Sequence, residues 1–331
     1  MPTPTLTASP TPALNVNPLT GELVDDVSLL ERPPVAIKIS DWPPQYVRPQ
    51  AGINSADIIY EHYNEGWNAT RWTAIFLGQD PERVGPVRSG RLIDLELVPI
   101  YKAPLAAWGF SDGVAAIARE FDTYPNWIAS YSLAEQVSPD PFYRDNSRDV
   151  PLEHTGYTDP GAVREWAEAH GITGRQDLAG MTFSETPPEG GTPATYVWVR
   201  WRGLDAEWRY DEASGRYLRW SDGDPHTDAL TGEQLGAANV VVLYVAQWDT
   251  DIIEEPHGGA LSIRWALWNE GNPYRRALIF RDGQQIVGQW NREERWDMLT
   301  LTDEAGNSIP LRPGNTFFEV IPTEGLEVTV E

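Results

Sequence analysis

The sequence predicts an α+β protein: an N-terminal α/β domain over residues 17–175, followed by a mostly antiparallel β domain over residues 196–331. Three observations carry this. Short apolar runs alternate with stretches of helical spacing up to about residue 175. Beyond Gly180 the helix signals stop, and strand-like runs joined by hairpin turns take over. Finally, 331 residues exceed the size at which one core usually keeps growing, so two folded units are expected.

In the first unit the runs Val35 to Ile39, Ile58 to Tyr63, Trp72 to Leu77 and Leu105 to Trp108 read as strands, each bounded by turn chemistry. Leu92, Leu95, Leu97, Val98 and Tyr101 share a helical spacing, as do Val114, Ile117, Ala118 and Phe121. A third helix opens at Thr158-Asp159-Pro160, where proline suits the first turn, and runs through Trp166 to Gly171. Residues 176–195 form a linker that includes the Gly/Pro-rich stretch Glu185 to Pro193. Strands are then expected at Tyr196 to Trp201, Glu207 to Tyr210, Arg216 to Trp220 and Val240 to Val245. Four more follow at Leu261 to Trp268, Ala277 to Phe280, Ile286 to Trp290 and Phe317 to Ile321. Ser214-Gly215, Asp222-Gly223, Asp282-Gly283 and Ala305-Gly306 supply turns. Alternation along Tyr196 to Trp201 sends one set of side chains inward and leaves the other as a core face or a sugar platform.

Residues 1–16 repeat Thr and Pro almost without charge and cannot bury enough surface to fold, so they read as a disordered stalk. A stalk of this kind spaces a domain from a surface, which points to an exported, membrane-tethered protein. No run approaches the roughly 18 apolar residues of a membrane-spanning helix, and the targeting segment is expected upstream of these residues. The net charge of −24, from 49 acidic and 25 basic residues, repels polyanions, so nucleic acid is not an expected partner. The chain has no cysteine, which removes disulfides, thiolate zinc sites and thiol nucleophiles.

The most informative segment is Asp80 to Arg91. If a helix begins near Ser89, its free N–H groups face the turn, and Arg88 and Arg91 stand beside it to hold an anion by charge-assisted contacts. The alternative is that Ser89 caps the helix and the arginines form structural ion pairs with Asp94 or Glu61. Glu61, His62 and Glu65 follow an apolar strand, and Arg71 opens the next. Glu61 and His154 are therefore the candidate acid and base if the protein is an enzyme, while burial in an ion pair is the structural reading of Glu61. The five histidines lack the close pairing of zinc sites. Asp222, Asp224, His226, Asp228 and Glu233 approach the spacing of a calcium loop, but Thr227 stands where its glycine turn is required. No metal and no cofactor is expected.

Asn17-Pro18-Leu19-Thr20-Gly21, Arg48-Pro49-Gln50-Ala51-Gly52, Ala56 to Glu61, Val84 to Arg91, Asp222 to Asp228 and Asn239 to Val242 occur in an order that resembles the YerB-like lipoprotein family. The resemblance spans residues 17 to about 322. It implies an extracytoplasmic bacterial lipoprotein with an N-terminal and a C-terminal family domain and no established activity. It also implies that Glu61, Arg71, Arg88, Ser89, Arg91, His154 and Tyr157 fall at the family's polar motif positions. The chain departs from the pattern at Trp108, where the family commonly has a His- and Gly-rich turn. It also lacks a lipobox cysteine, so lipid attachment is expected upstream. The expected role is a binding or scaffold module for an anionic envelope ligand, through Arg71, Arg88, Ser89, Arg91 and Tyr157. Its rival is a metal-independent hydrolase or transferase acting on an envelope polymer.

Overall fold

The computed structural model describes residues 15–134, 137–254, 258–270, 272 and 274–331. Residues 1–14 of the expected stalk, and His257, lie outside the described residues. The first half contributes strands β1 (Val35–Ser40), β2 (Ile58–Tyr63) and β3 (Thr70–Phe76), then helix α1 (Asp94–Tyr101). Strand β4 (Leu105–Ala106), helix α2 (Asp112–Glu120), strand β5 (Ile128–Ala129) and helix α3 (Pro160–Ala169) follow. Every residue of β1, β2 and β3 is buried, because both faces of this sheet are covered, and that is why they read as near-continuous apolar runs. Ser111 accepts a hydrogen bond from Val114 N to cap α2, and Asp159 does the same for Ala162 N ahead of Pro160 in α3.

The second half contributes β6 (Tyr196–Arg200), β7 (Asp205–Asp211), β8 (Arg216–Ser221), β9 (Asn239–Val245), β10 (Gln247–Ile253) and β11 (Leu261–Trp265). It ends with β12 (Arg276–Arg281), β13 (Gln284–Asn291), β14 (Thr300–Thr302), β15 (Thr316–Pro322) and β16 (Val328–Val330). Among the described residues, the main sheet has 11 strands, with the order β14-β13-β12-β9-β15-β2-β3-β1-β4-β5 and the short segment Thr192–Pro193 added on β13. The two halves thus share one sheet. They join where β2 runs parallel to β15, with Glu61 opposite Glu319. A second sheet, β8-β7-β6-β16 with the short segments Asp224–Pro225 and Gly236–Ala237 added on β8, is antiparallel throughout, and β10 and β11 pair separately. In the region expected as a linker, Leu178 and Ala194 are buried.

The second sheet packs its inward residues Val197, Val199, Ala206, Trp208, Tyr217 and Arg219, all fully buried, toward the β2–β15 junction. Alternation along β6 therefore sends the valines in and leaves Tyr196 and Trp198 half-exposed, with the Arg200 guanidinium 3.7 Å from the Trp198 ring centroid. Contacts from the first half reinforce this seam. Asp228 accepts hydrogen bonds from Gly52 N and Asn54 N, and Arg48 donates to Asp222 at 2.7 Å. Asp228 spends its carboxylate on these amides and on Leu230 N, which gives the aspartates of this turn a structural task. No helix among the described residues is long and apolar enough to cross a membrane.

Candidate functional site

Strands β1, β4 and β5 run parallel, so their carboxyl ends lie together and deliver Ser40, the turn Ala107 to Phe110, and Ser130 to Ser132 to one edge. In open sheets of this kind, ligands bind in the crevice outside the strand carboxyl ends. Across that edge runs the loop Val84 to Arg91, held by its backbone: Val87 N donates to Gly156 O at 2.8 Å, Arg88 N to Lys38 O at 3.0 Å, and Gly90 N to Gly109 O at 2.8 Å. Gly90 has to be glycine here, since a Cβ would come within 2.3 Å of the Phe110 ring.

This loop gathers the arginines. Arg71, from β3, donates to Ser89 O at 2.8 Å, and Arg91 donates to Gly90 O at 2.9 Å and to Ser89 O at 3.3 Å. Arg91 Nε also reaches Asn64 Oδ1 at 3.0 Å and Glu65 Oε2 at 2.6 Å, while Arg71 lies 3.7 Å from the other Glu65 oxygen. Burial alone would raise the Glu65 carboxyl, but Arg71 and Arg91 outweigh it and hold it down at about 2. Burial, and then the neighbouring charges of Arg91 and Arg88, push the Arg71 guanidinium down to about 9 against the pull of Glu65 and Glu254. Helix α1 begins at Asp94, beyond Ser89, and Asp94 itself accepts from Arg91 N at 2.6 Å. The expectation that Ser89 opens or caps this helix is corrected accordingly: Ser89 contributes its carbonyl to the two arginines.

Arg88 donates to Glu153 O at 3.2 Å, which brings in His154. His154 stacks on Tyr46, with ring centroids 5.4 Å apart, and its buried Nδ1 makes no hydrogen bond. Burial, then Arg88, lower its basicity, so it is a neutral imidazole beside a cation. Tyr157 sits under the Arg83 guanidinium, 5.4 Å from its ring, and accepts from Arg148 at 2.8 Å. It borders the cluster through the bridge between Val84 and Thr158.

Glu61 does not join them. His62 and Arg71 pair across β2 and β3 on one sheet face, so Glu61 points through the other, toward the second sheet. There it is fully buried, accepting from Arg219 at 2.8 Å and from Thr70 at 2.5 Å, while Arg219 also donates to Glu319 at 3.2 Å. Beneath the arginine cluster, Lys38 donates to His62 Nε2 at 2.7 Å, Thr73 Oγ1 at 2.9 Å and Asp94 Oδ1 at 3.0 Å. The sequence carried a sign of this buried lysine, since Lys38 interrupts the apolar run of β1.

One further pair has the atoms of a nucleophile and base. Ser221 Oγ lies 2.8 Å from His226 Nδ1, whose Nε2 lies 2.7 Å from Gln50 Oε1, beside a cleft of about 420 Å³. Its electrostatics oppose that role. Burial, Arg219 and Arg48 hold His226 well below its ordinary value, and a neutral amide stands where a carboxylate would stabilise an imidazolium. Among the described residues no group of three or more His, Cys, Asp or Glu side chains is placed to hold a metal ion.

Comparison with known proteins gives matches of three kinds. The family model "Protein of unknown function (DUF3048) N-terminal domain" matches residues 19–173, and the corresponding C-terminal domain model matches residues 197–318. A Bacillus subtilis (strain 168) protein named "Putative lipoprotein YerB" is 28% identical over 309 residues, covering 92% of this chain and 86% of its own length. The crystal structure of the YerB protein from Bacillus subtilis superposes with a TM-score of 0.74 at 25% identity, covering 95% of this chain and 99% of that one.

Proposed function

The chain belongs to the DUF3048 family of proteins of unknown function, carrying both its N-terminal and C-terminal domains, and from that premise we propose that it is a cell-envelope binding module for an anionic ligand. The ligand is an anionic group, carboxylate or phosphate, on an envelope polymer or a small molecule. The observation that carries this reading is the convergence of Arg71, Arg88 and Arg91 on the Ser89 loop, at the carboxyl ends of parallel strands, in a chain of net charge −24. Guanidinium groups suit bidentate recognition of such anions, and mutual repulsion at Arg71 is relieved when an anion arrives. An envelope location is supported by the name of the Bacillus relative and by the Thr/Pro-rich segment.

A second reading, turnover of the same ligand, draws on one observation: His154 is neutral, buried and without a partner at Nδ1, beside Arg88. It would act there as a general base.

The test is calorimetric titration of the full chain with inorganic phosphate and with succinate at low ionic strength. Arg88→Ala is expected to weaken binding about tenfold or more, the worth of one hydrogen bond to a charged group. Binding should also fall with added salt. Equal affinity in Arg88→Ala and Arg71→Ala would remove this site as the binding locus.

A further inference from the structure

The carboxyl ends of β2, β15 and β9 open on the same sheet edge as the arginine cluster, since these strands run parallel to one another and β1 and β2 both run antiparallel to β3. Ligands of open sheets bind outside such strand ends. Two cavities lie along this stretch, of about 530 Å³ and about 330 Å³, and Glu324 lines both. Each has an aromatic wall: Tyr244 and Tyr274 in the larger, Tyr63 and the half-buried Trp67 in the smaller. The backbone of Trp67 is left-handed, with a φ of 57°, a conformation that a bulky side chain keeps only where its surroundings enforce it. Its ring stands edge-on to Tyr63 at 5.3 Å, and its indole N–H donates to Asp249 Oδ1 at 2.7 Å.

The polar lining carries both signs. Gln247 lines the smaller cavity and Arg275 the larger, and each buries one polar atom, Oε1 and Nε respectively, that makes no hydrogen bond among the described residues. Buried atoms of this kind are rare in folded proteins. Arg202, Arg276, Glu304 and Glu324 enter no ion pair among the described residues. A compact anion seated here would meet the glutamates, and a cation would meet the arginines. A peptide would gain most from an open strand edge, but β9, β13 and β15, which line the larger cavity, are each paired on both sides. A sugar uses all of these features. Its hydroxyls both donate and accept, so they engage arginines and carboxylates together, while the C–H face of its ring lies on an aromatic side chain.

We propose that this edge is a saccharide-binding groove, which takes a neutral oligosaccharide spanning both cavities past Glu324, with Trp67 as a stacking surface. Its residues are separate from Arg71, Arg88 and Arg91, so the groove does not depend on the anion reading. The two are neighbours along the chain: Glu65 holds the arginines, and Trp67, two residues on, lines the groove.

The experiment is calorimetric titration of the full chain with cellotetraose, chitotetraose and tetraalanine, for the wild type, Trp67→Ala and Glu324→Ala. The wild type is expected to bind at least one of the two oligosaccharides, and more tightly than tetraalanine. Trp67→Ala and Glu324→Ala should each weaken that binding about tenfold or more. Glu324 is exposed, so its replacement spares the fold and keeps the test decisive should Trp67→Ala unfold. Binding of neither oligosaccharide, unchanged affinity in Glu324→Ala, or tighter binding of tetraalanine overturns the proposal. Sugar binding that is lost in Arg88→Ala but kept in Trp67→Ala and Glu324→Ala would put the sugar at the arginine cluster, which overturns the groove and leaves that cluster standing as a site.

Discussion

Arg219→Met is expected to lower the free energy of unfolding by about 3–5 kcal/mol, the cost of stranding buried charge. The guanidinium joins the two sheets, donating to Glu61 at 2.8 Å and Glu319 at 3.2 Å from the main sheet and to Ser221 at 3.2 Å within its own. It lies 5.2 Å from the Trp72 and Trp208 ring centroids and 5.0 Å from that of Phe317. Methionine retains most of the packing volume but leaves the Glu61–Glu319 pair buried with no cation beside it. Replacing all three residues together, as Glu61→Leu, Arg219→Met and Glu319→Leu, is expected to recover most of the loss, because the desolvation of the buried charge disappears with them. Urea denaturation measures both. A cost under about 1 kcal/mol for Arg219→Met would mean that the triad does not hold the sheets together.

The same triad sets a pH dependence on the alkaline side. Burial first, and then the charge of Glu61, push the Glu319 carboxyl up to about 8 despite Arg219. Glu61 is also raised by burial, against the pull of Arg219 and the Thr70 hydroxyl, so the two carboxyls hold one proton between them as a pair. Between about pH 4.5 and 8 the folded chain therefore holds a proton that the unfolded chain has released. The contribution is complete below 4.5, falls as pH rises, and is gone above 8. Glu319→Gln imitates the protonated acid at every pH. It is expected to match the wild type near pH 5 and to exceed it near pH 8 by on the order of 2–3 kcal/mol, read from denaturation curves at the two values. Parallel stability curves for the two proteins would contradict the assignment. Glu65 acts in the opposite direction and elsewhere: its lowered carboxyl adds stability that is lost only as pH falls from 4.5 toward 2.

Much of the fold was legible because it is local. The apolar runs at Val35, Ile58 and Trp72 became the wholly buried strands β1, β2 and β3, and Asp159-Pro160 opened α3 as its chemistry requires. Strand β10 was not legible, because Gln247-Trp248-Asp249-Thr250-Asp251 lies mostly exposed and shows no apolar alternation. Nor was the sharing of strands between sheets: β15 inserts beside β2 through pairing remote in sequence, which periodicity does not encode. At the site, Arg71, Arg88 and Arg91 were found from their nearness in the loop and strand. Glu61 was grouped with them on position alone, although the two-residue period of β2 and β3 already separates it from Arg71. Arg219 carried no local signal, since it acquires its role only when the second half of the chain folds onto the first.

The most direct test of the anion site is a crystal structure of the full chain soaked with sodium succinate. The account predicts a carboxylate within about 3 Å of the Arg71, Arg88 or Arg91 guanidinium groups. A structure in which the cluster holds no anion and Arg71 and Arg91 remain on Glu65 and the Ser89 carbonyl would contradict it.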